Sequence, residues 1–164
     1  MAHWTHALGV GPFFHFAEAR VTEFVFRGEP CDARIAVAFA NSGPLQIELI
    51  QTLDGAASSY REFLSRHEAG LQHVAYWTES FEEACSRAQS AGHDVLQSGR
   101  SGGDPRGRHA YFDSPEHHGP LVEISEVAGA KGAFFSHVAR VAAEWDGSEP
   151  VRQMGIAGDG AVPQ

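Results

Sequence analysis

Three polar residues interrupt otherwise apolar runs: Glu48 in IELI, His73 in LQHVAY and Glu123 in LVEIS. A carboxylate or imidazole turned toward the inside of a sheet is costly unless it is paired, hydrogen-bonded or bound to a cation. One strand glutamate on its own is ordinary, because the outer face of a half-exposed sheet accepts it. Two glutamates and a histidine, on strands that can neighbour one another, suggest convergence on a metal. A mixed nitrogen and oxygen donor set suits zinc, manganese, cobalt, nickel or iron; a purely hard cation would not need the imidazole.

Other chemistry-bearing residues carry less. The chain has ten histidines, which raises the expectation of metal or acid–base chemistry without locating it. His117 and His118 fall in a turn ahead of the Glu123 strand, and His109 begins a strand whose facing is open. Arg100, Arg106 and Arg108 flank the loop SGGDPRG, where they could hold an acidic substrate group, although a solvated hairpin is the simpler reading. Cys31 and Cys85 read as bystanders, Tyr60 and Phe63 as packing residues, and Trp77 and Trp145 as core or lid residues.

The elements that must position these groups follow from periodicity and turn residues. A helix over 2–8 ends at Gly9 and the Gly11-Pro12 pair. Strands follow over 13–19, 21–26, 33–40 and 45–51. In the last of these Leu45, Ile47 and Leu49 face one way, and Gln46, Glu48 and Ile50 the other. A short helix over 58–67 and a Glu-Ala-Gly linker come next. The pattern then restarts with a strand over 71–78 and a helix over 80–91 with capping-box spacing. A short strand at 95–96, a Gly-rich loop over 98–107, and strands over 108–113 and 121–127 complete it. A helix over 132–144 and a polar tail end the chain. Superposing Gly9 on Gly92 gives an internal offset of 83, and the strand 71–78 then has no counterpart in the first half.

A chain of 164 residues with 43% hydrophobic content can bury one domain or two half-domains sharing a core. Its net charge of −9 argues against nucleic acid or an anionic membrane surface as partner. Neither a membrane span nor a signal peptide is expected, and two cysteines are too few for a disulfide framework, so a cytoplasmic setting is expected.

The segments GLQHVAYWTESFEEACSRAQSAGHDV, AYFDSP and GPLVEI together resemble the second βαβββ module of the vicinal oxygen chelate superfamily. That group includes glyoxalases, methylmalonyl-CoA epimerases, extradiol dioxygenases and bleomycin-resistance proteins. HWTHALGVGPFF and LQIELIQ resemble parts of the first module in its glyoxalase- and epimerase-like members. The resemblance spans residues 1–127. It implies an α+β fold in which two βαβββ modules form a cupped mixed sheet, the first lacking its opening strand. Residues 1–69 would form the first module, 70–128 the second, 129–146 a C-terminal helix and 147–164 a tail.

The resemblance also implies one divalent metal held by the first and last strand of each module. Glu48, His73 and Glu123 match three of those positions. The fourth, a histidine, belongs to the strand that the repeat finds missing; His3, His6 and His15 are the substitutes at hand. The implied chemistry is that of a lyase or isomerase working through a metal-stabilised enolate of a small carbonyl compound or thioester, with Glu48 and Glu123 as catalytic bases. The strand RIAVAFAN lacks the extra carboxylate of the epimerases, which counts against a true epimerase. The alternatives are a non-catalytic small-molecule binder, as in the bleomycin-resistance branch, or a three-ligand site that is inactive without its first strand. An unpaired sheet edge in module one would favour a homodimer.

Overall fold

The computed structural model of the protein describes residues 1–113 and 119–155. The chain runs α1 (Ala2–Leu8), β1 (Phe13–Phe16), β2 (Val21–Phe26), β3 (Glu29–Pro30), β4 (Ile35–Ser42), β5 (Leu45–Thr52) and α2 (Ser59–Leu64). It continues through β6 (His73–Thr78), α3 (Phe81–Ser90), β7 (Asp94–Ser101), β8 (Arg108–Asp113), β9 (Leu121–Glu126), α4 (Gly129–Ala143) and β10 (Val151–Met154). The architecture is the expected α+β one, with strands in two sheets ordered β10-β1-β4-β5 and β3-β2-β7-β8-β9-β6. Within the second, β6 runs parallel to β9 while β7, β8 and β9 form an antiparallel meander, the arrangement of a βαβββ module.

No strand precedes α1 among the described residues, and β5 pairs on one side only, with β4. The front of the chain does not keep to its own sheet, however. The hairpin β2–β3 turns at Arg27-Gly28, both at positive φ (52° and 83°), the geometry that two-residue hairpins favour. Its strand β2 then joins β7 of the second sheet. The segment 98–107, read as a loop, is strand as far as Ser101, and the tail contains β10, which pairs in parallel with β1.

Register sorts the side chains. Phe14, Phe39 and Glu48 are cross-strand partners and share one face, as do Phe16, Val37 and Ile50. The opposite face packs Phe13, Ala38 and Ala40 against Trp4, Ile47 and Leu49. In the second sheet Ala75, Glu123 and Tyr111 share a face, with Trp77, Ser125 and His109 beside them. Ala110, Phe112 and Ile124 point the other way, onto Phe81, Ala84 and Ala88 of α3.

Helix α4 is seated by aromatic contacts from both sheets. Phe134 meets Phe14, Phe16 and Phe39 edge to face, and Phe135 lies between Phe39 and Trp77. The carboxylate of Asp104, from the loop before β8, accepts from the backbone N–H of Ala130 at 2.8 Å and so caps the helix. Trp145 stacks over Gly11, where any Cβ would come within 2.8 Å of its ring.

Candidate metal centre

The three residues singled out from the sequence come together. Nε2 of His73 lies 3.4 Å from Oε2 of Glu48 and 3.3 Å from Oε2 of Glu123. One ligand atom from each falls within 4.8 Å of the other two, the only such group of three or more among the described residues. β5, β6 and β9 supply one residue each, and alternation turns all three inward. The side chains of His73 and Glu123 are 10% and 7% exposed, and that of Glu48 is 26% exposed.

The substitutes for a fourth ligand do not reach this point. His3 and His6 are exposed on α1. His15 is the register partner of Ala38, on the face away from Glu48, and its Nδ1 bonds Oε1 of Gln153 at 2.9 Å. His117 and His118 lie outside the described residues.

Burial alone would hold His73 in its neutral form. The hydrogen bond to Glu48 and the charges of Glu123 and Glu48 outweigh that, and raise its pKa above the ordinary histidine value. Its other ring nitrogen, Nδ1, is 2.6 Å from Oε1 of Gln72. Gln72 is steadied by Ser59 Oγ, which accepts from its Nε2 at 3.3 Å, and the N–H of Ser59 donates to the fully buried Gln97 at 2.8 Å. The start of α2 thus fixes the imidazole through Gln72, a residue the sequence reading passed over although it directly precedes His73. Replacing Gln72 by alanine is expected to weaken divalent metal affinity by about 10- to 100-fold, read by competition with a chromogenic chelator.

Below the triad, the hydroxyls of Tyr60 and Tyr111 are 3.0 Å apart, and the Tyr111 ring meets His73 edge to face at 5.0 Å. Burial pushes both phenols well above the usual tyrosine range, so they stay neutral. His109, also on this face, is driven by burial to a pKa of about 4. The α4 residue Lys131 reaches in as well, its ammonium 2.7 Å from Ser125 Oγ. Burial lowers its pKa against the opposing pull of Glu123 and Glu48. The sequence offered no signal for Lys131, because the helix that carries it follows both modules.

The loop arginines are engaged within the protein. Arg100 pairs with Glu23 at 2.7 Å, and Arg108 bridges Glu126 and Glu82. Glu126 is only 2% exposed and is held below the usual carboxylate range by Arg108 first of all. Arg108→Ala would leave that buried charge with only Arg106, 3.6 Å away, as a cationic partner among the described residues. It is expected to cost roughly 2–4 kcal/mol in urea unfolding, with much of the loss recovered in Arg108→Ala/Glu126→Gln.

A family model described as the glyoxalase/bleomycin resistance protein/dioxygenase superfamily matches residues 1–112. The chain belongs to this superfamily. The match includes Glu48 and His73 and stops short of Glu123, α4 and β10. A comparison with curated proteins finds no match. Among solved structures, the chain is similar to methylmalonyl-CoA epimerase from Mycobacterium tuberculosis, with 21% identity and a TM-score of 0.53 over 80% of this chain and 81% of that one. It is also similar to a methylmalonyl-CoA epimerase in complex with methylmalonyl-CoA and NH4+, with 18% identity and a TM-score of 0.51 over 76% and 81%. At these identities the likeness establishes the fold. No helix among the described residues is long and apolar enough to cross a membrane.

Proposed function

We propose that this protein is a metal-dependent isomerase or lyase that removes a proton beside the carbonyl of a small carbonyl compound or thioester. The convergence of Glu48, His73 and Glu123 carries the reading. Two carboxylates approach one imidazole nitrogen, and among the described residues no lysine or arginine lies within 4.0 Å of either carboxylate. Such a donor set suits a divalent first-row ion, with zinc, manganese, cobalt, nickel and iron as candidates. When bound, the ion would supply Lewis-acid stabilisation of negative charge developing on a substrate oxygen.

The remaining roles fall to the chain's own groups. Glu48 sits on the open edge strand β5 and is more exposed than its companions, which suits it to take the substrate proton. Glu123 lies on a strand flanked by β8 and β6 and is less exposed, which suits it to the part of the fixed ligand. Phe39, Phe134, Phe135 and Trp77 form an aromatic wall along this face.

The test is solvent deuterium exchange at the carbon next to the carbonyl, in a panel of short acyl thioesters and 2-oxo acids. Metal-loaded protein is expected to catalyse exchange in at least one class, and Glu48→Gln to slow it at least ~100-fold. A protein that binds no stoichiometric divalent metal, or that exchanges none of the panel, overturns the reading.

The second reading, a non-catalytic binder, is favoured by the same aromatic wall, which suits a planar ligand, and by the lack of an acidic residue in β4. Retention of such a ligand by metal-free Glu48→Ala/Glu123→Ala protein would select it. A homodimer also remains a proposal, supported by the one-sided pairing of β5 and β6 and by exposed Val74, Tyr76 and Trp77. A monomeric mass by light scattering would remove it.

A further inference from the structure

Helix α4 lies beyond the residues that the family model matches, yet it sends one cation into the cup. Lys131 leaves its first turn, passes beside the Phe135 ring with its ammonium 5.6 Å from the ring centre, and donates to Ser125 Oγ. An ammonium carries three donors, and among the described residues this is the one hydrogen bond it makes. No described carboxylate lies within the 4.0 Å of an ion pair with it, although Glu123, Glu48, Glu126 and Asp104 are near enough for their charges to act on it. The ammonium is half-buried and keeps two donors that a bound anion can take up.

The position fits that role. Ser125 is the next inward-facing residue after Glu123 on β9, one strand repeat away, or roughly 7 Å. A short carboxylic acid can span such a distance when each end makes one close polar contact.

We infer that Lys131 is a substrate-recognition residue, and that its ammonium, held by Ser125, receives a carboxylate of a small substrate whose reacting carbonyl lies at Glu48, His73 and Glu123. The inference rests on the proposed use of the triad and narrows its substrates to those carrying an anion beside the carbonyl. Neutral carbonyl compounds would leave two ammonium donors unmet and bind less well. Phe134 and Phe135 hold the helix that presents the lysine, so recognition depends on α4 remaining seated.

The experiment is calorimetric titration of metal-loaded protein with malonate and with the uncharged malonamide, alongside metal analysis of every sample. Wild-type protein is expected to prefer malonate. Lys131→Met is expected to cut that preference about tenfold or more with metal content unchanged, and Lys131→Arg to retain most of it. Ser125→Ala, which keeps the lysine but removes its anchor, is expected to lose part of the preference, and serves if Lys131→Met does not fold. No malonate binding by the wild type, or a preference that is the same in Lys131→Met or, where that variant does not fold, in Ser125→Ala, overturns the inference. Absence of metal from the wild type would instead sink the reading of the triad. A Lys131-dependent preference for malonate would then stand without it.

Discussion

His73→Ala is expected to abolish the stabilisation of this protein by divalent metal. A ligand that binds only the folded state stabilises it by about 4 kcal/mol when supplied at a thousandfold excess over its dissociation constant. Urea unfolding of wild-type protein with and without excess zinc or manganese should show a gain of that order, and the variant little or none. The reason lies in the geometry: the imidazole is the one nitrogen donor of the three residues and the point on which Glu48 and Glu123 both close. Without it two carboxylates remain, which bind most first-row ions weakly and hard cations indiscriminately. Glu123→Ala should behave similarly. Metal-dependent stabilisation that survives in His73→Ala would place the ion elsewhere.

The second large effect is acid sensitivity arising from His109. Its pKa in the folded protein is lowered from 6.5 to about 4, chiefly by burial, with Lys131 and His73 adding to the shift and Glu123 opposing it. Above pH 6.5 the ring is neutral in both folded and unfolded chains and contributes nothing to pH dependence. As pH falls from 6.5 toward 4, the unfolded chain takes up a proton that the folded protein refuses, so stability declines. The full loss is on the order of 3 kcal/mol. His73, with a raised pKa, works in the opposite sense: in metal-free protein its contribution is complete below 6.5 and fades as pH rises through its folded value. Urea unfolding of metal-free wild type and His109→Gln at pH 7 and 4.5 isolates the first effect. The wild type should lose more stability than the variant between the two values, and equal losses would contradict the role given to burial.

Much of the site was legible because the signal was local. In β5 alternation alone put Glu48 with Ile50 and opposite Leu49, and the packing agrees: Ile50 joins the cluster around Tyr60 and Tyr111, and Leu49 the one beneath α1. What escaped the sequence depended on distant partners. Gly99 made β7 look like loop. A Cβ there would meet the His109 ring at 3.1 Å and Val21 at 2.9 Å, so the strand carries glycine to let a neighbouring imidazole lie across it. β10 is four residues long and carries no pattern of its own; it is a strand because β1 has an edge to offer. The arginines around SGGDPRG read most simply as a solvated hairpin, and their pairing was hidden because their partners, Glu23, Glu82 and Glu126, lie well away from the loop in sequence. The anion-seeking residue we infer came instead from a helix outside the repeat.

The pairing of β10 with β1 has a consequence for how the protein is made. The bond between His15 and Gln153 spans 138 residues, so the outer edge of β1 stays open until almost the whole described chain has been synthesised. At the usual pace of translation that is an interval of roughly 7–30 s. Through it the outer edge of the apolar strand FFHF is exposed to other nascent chains. A chain shortened before residue 151 would keep that edge permanently, and should yield aggregates in place of a milder loss of activity. For anyone expressing this protein, the safe boundary lies beyond β10.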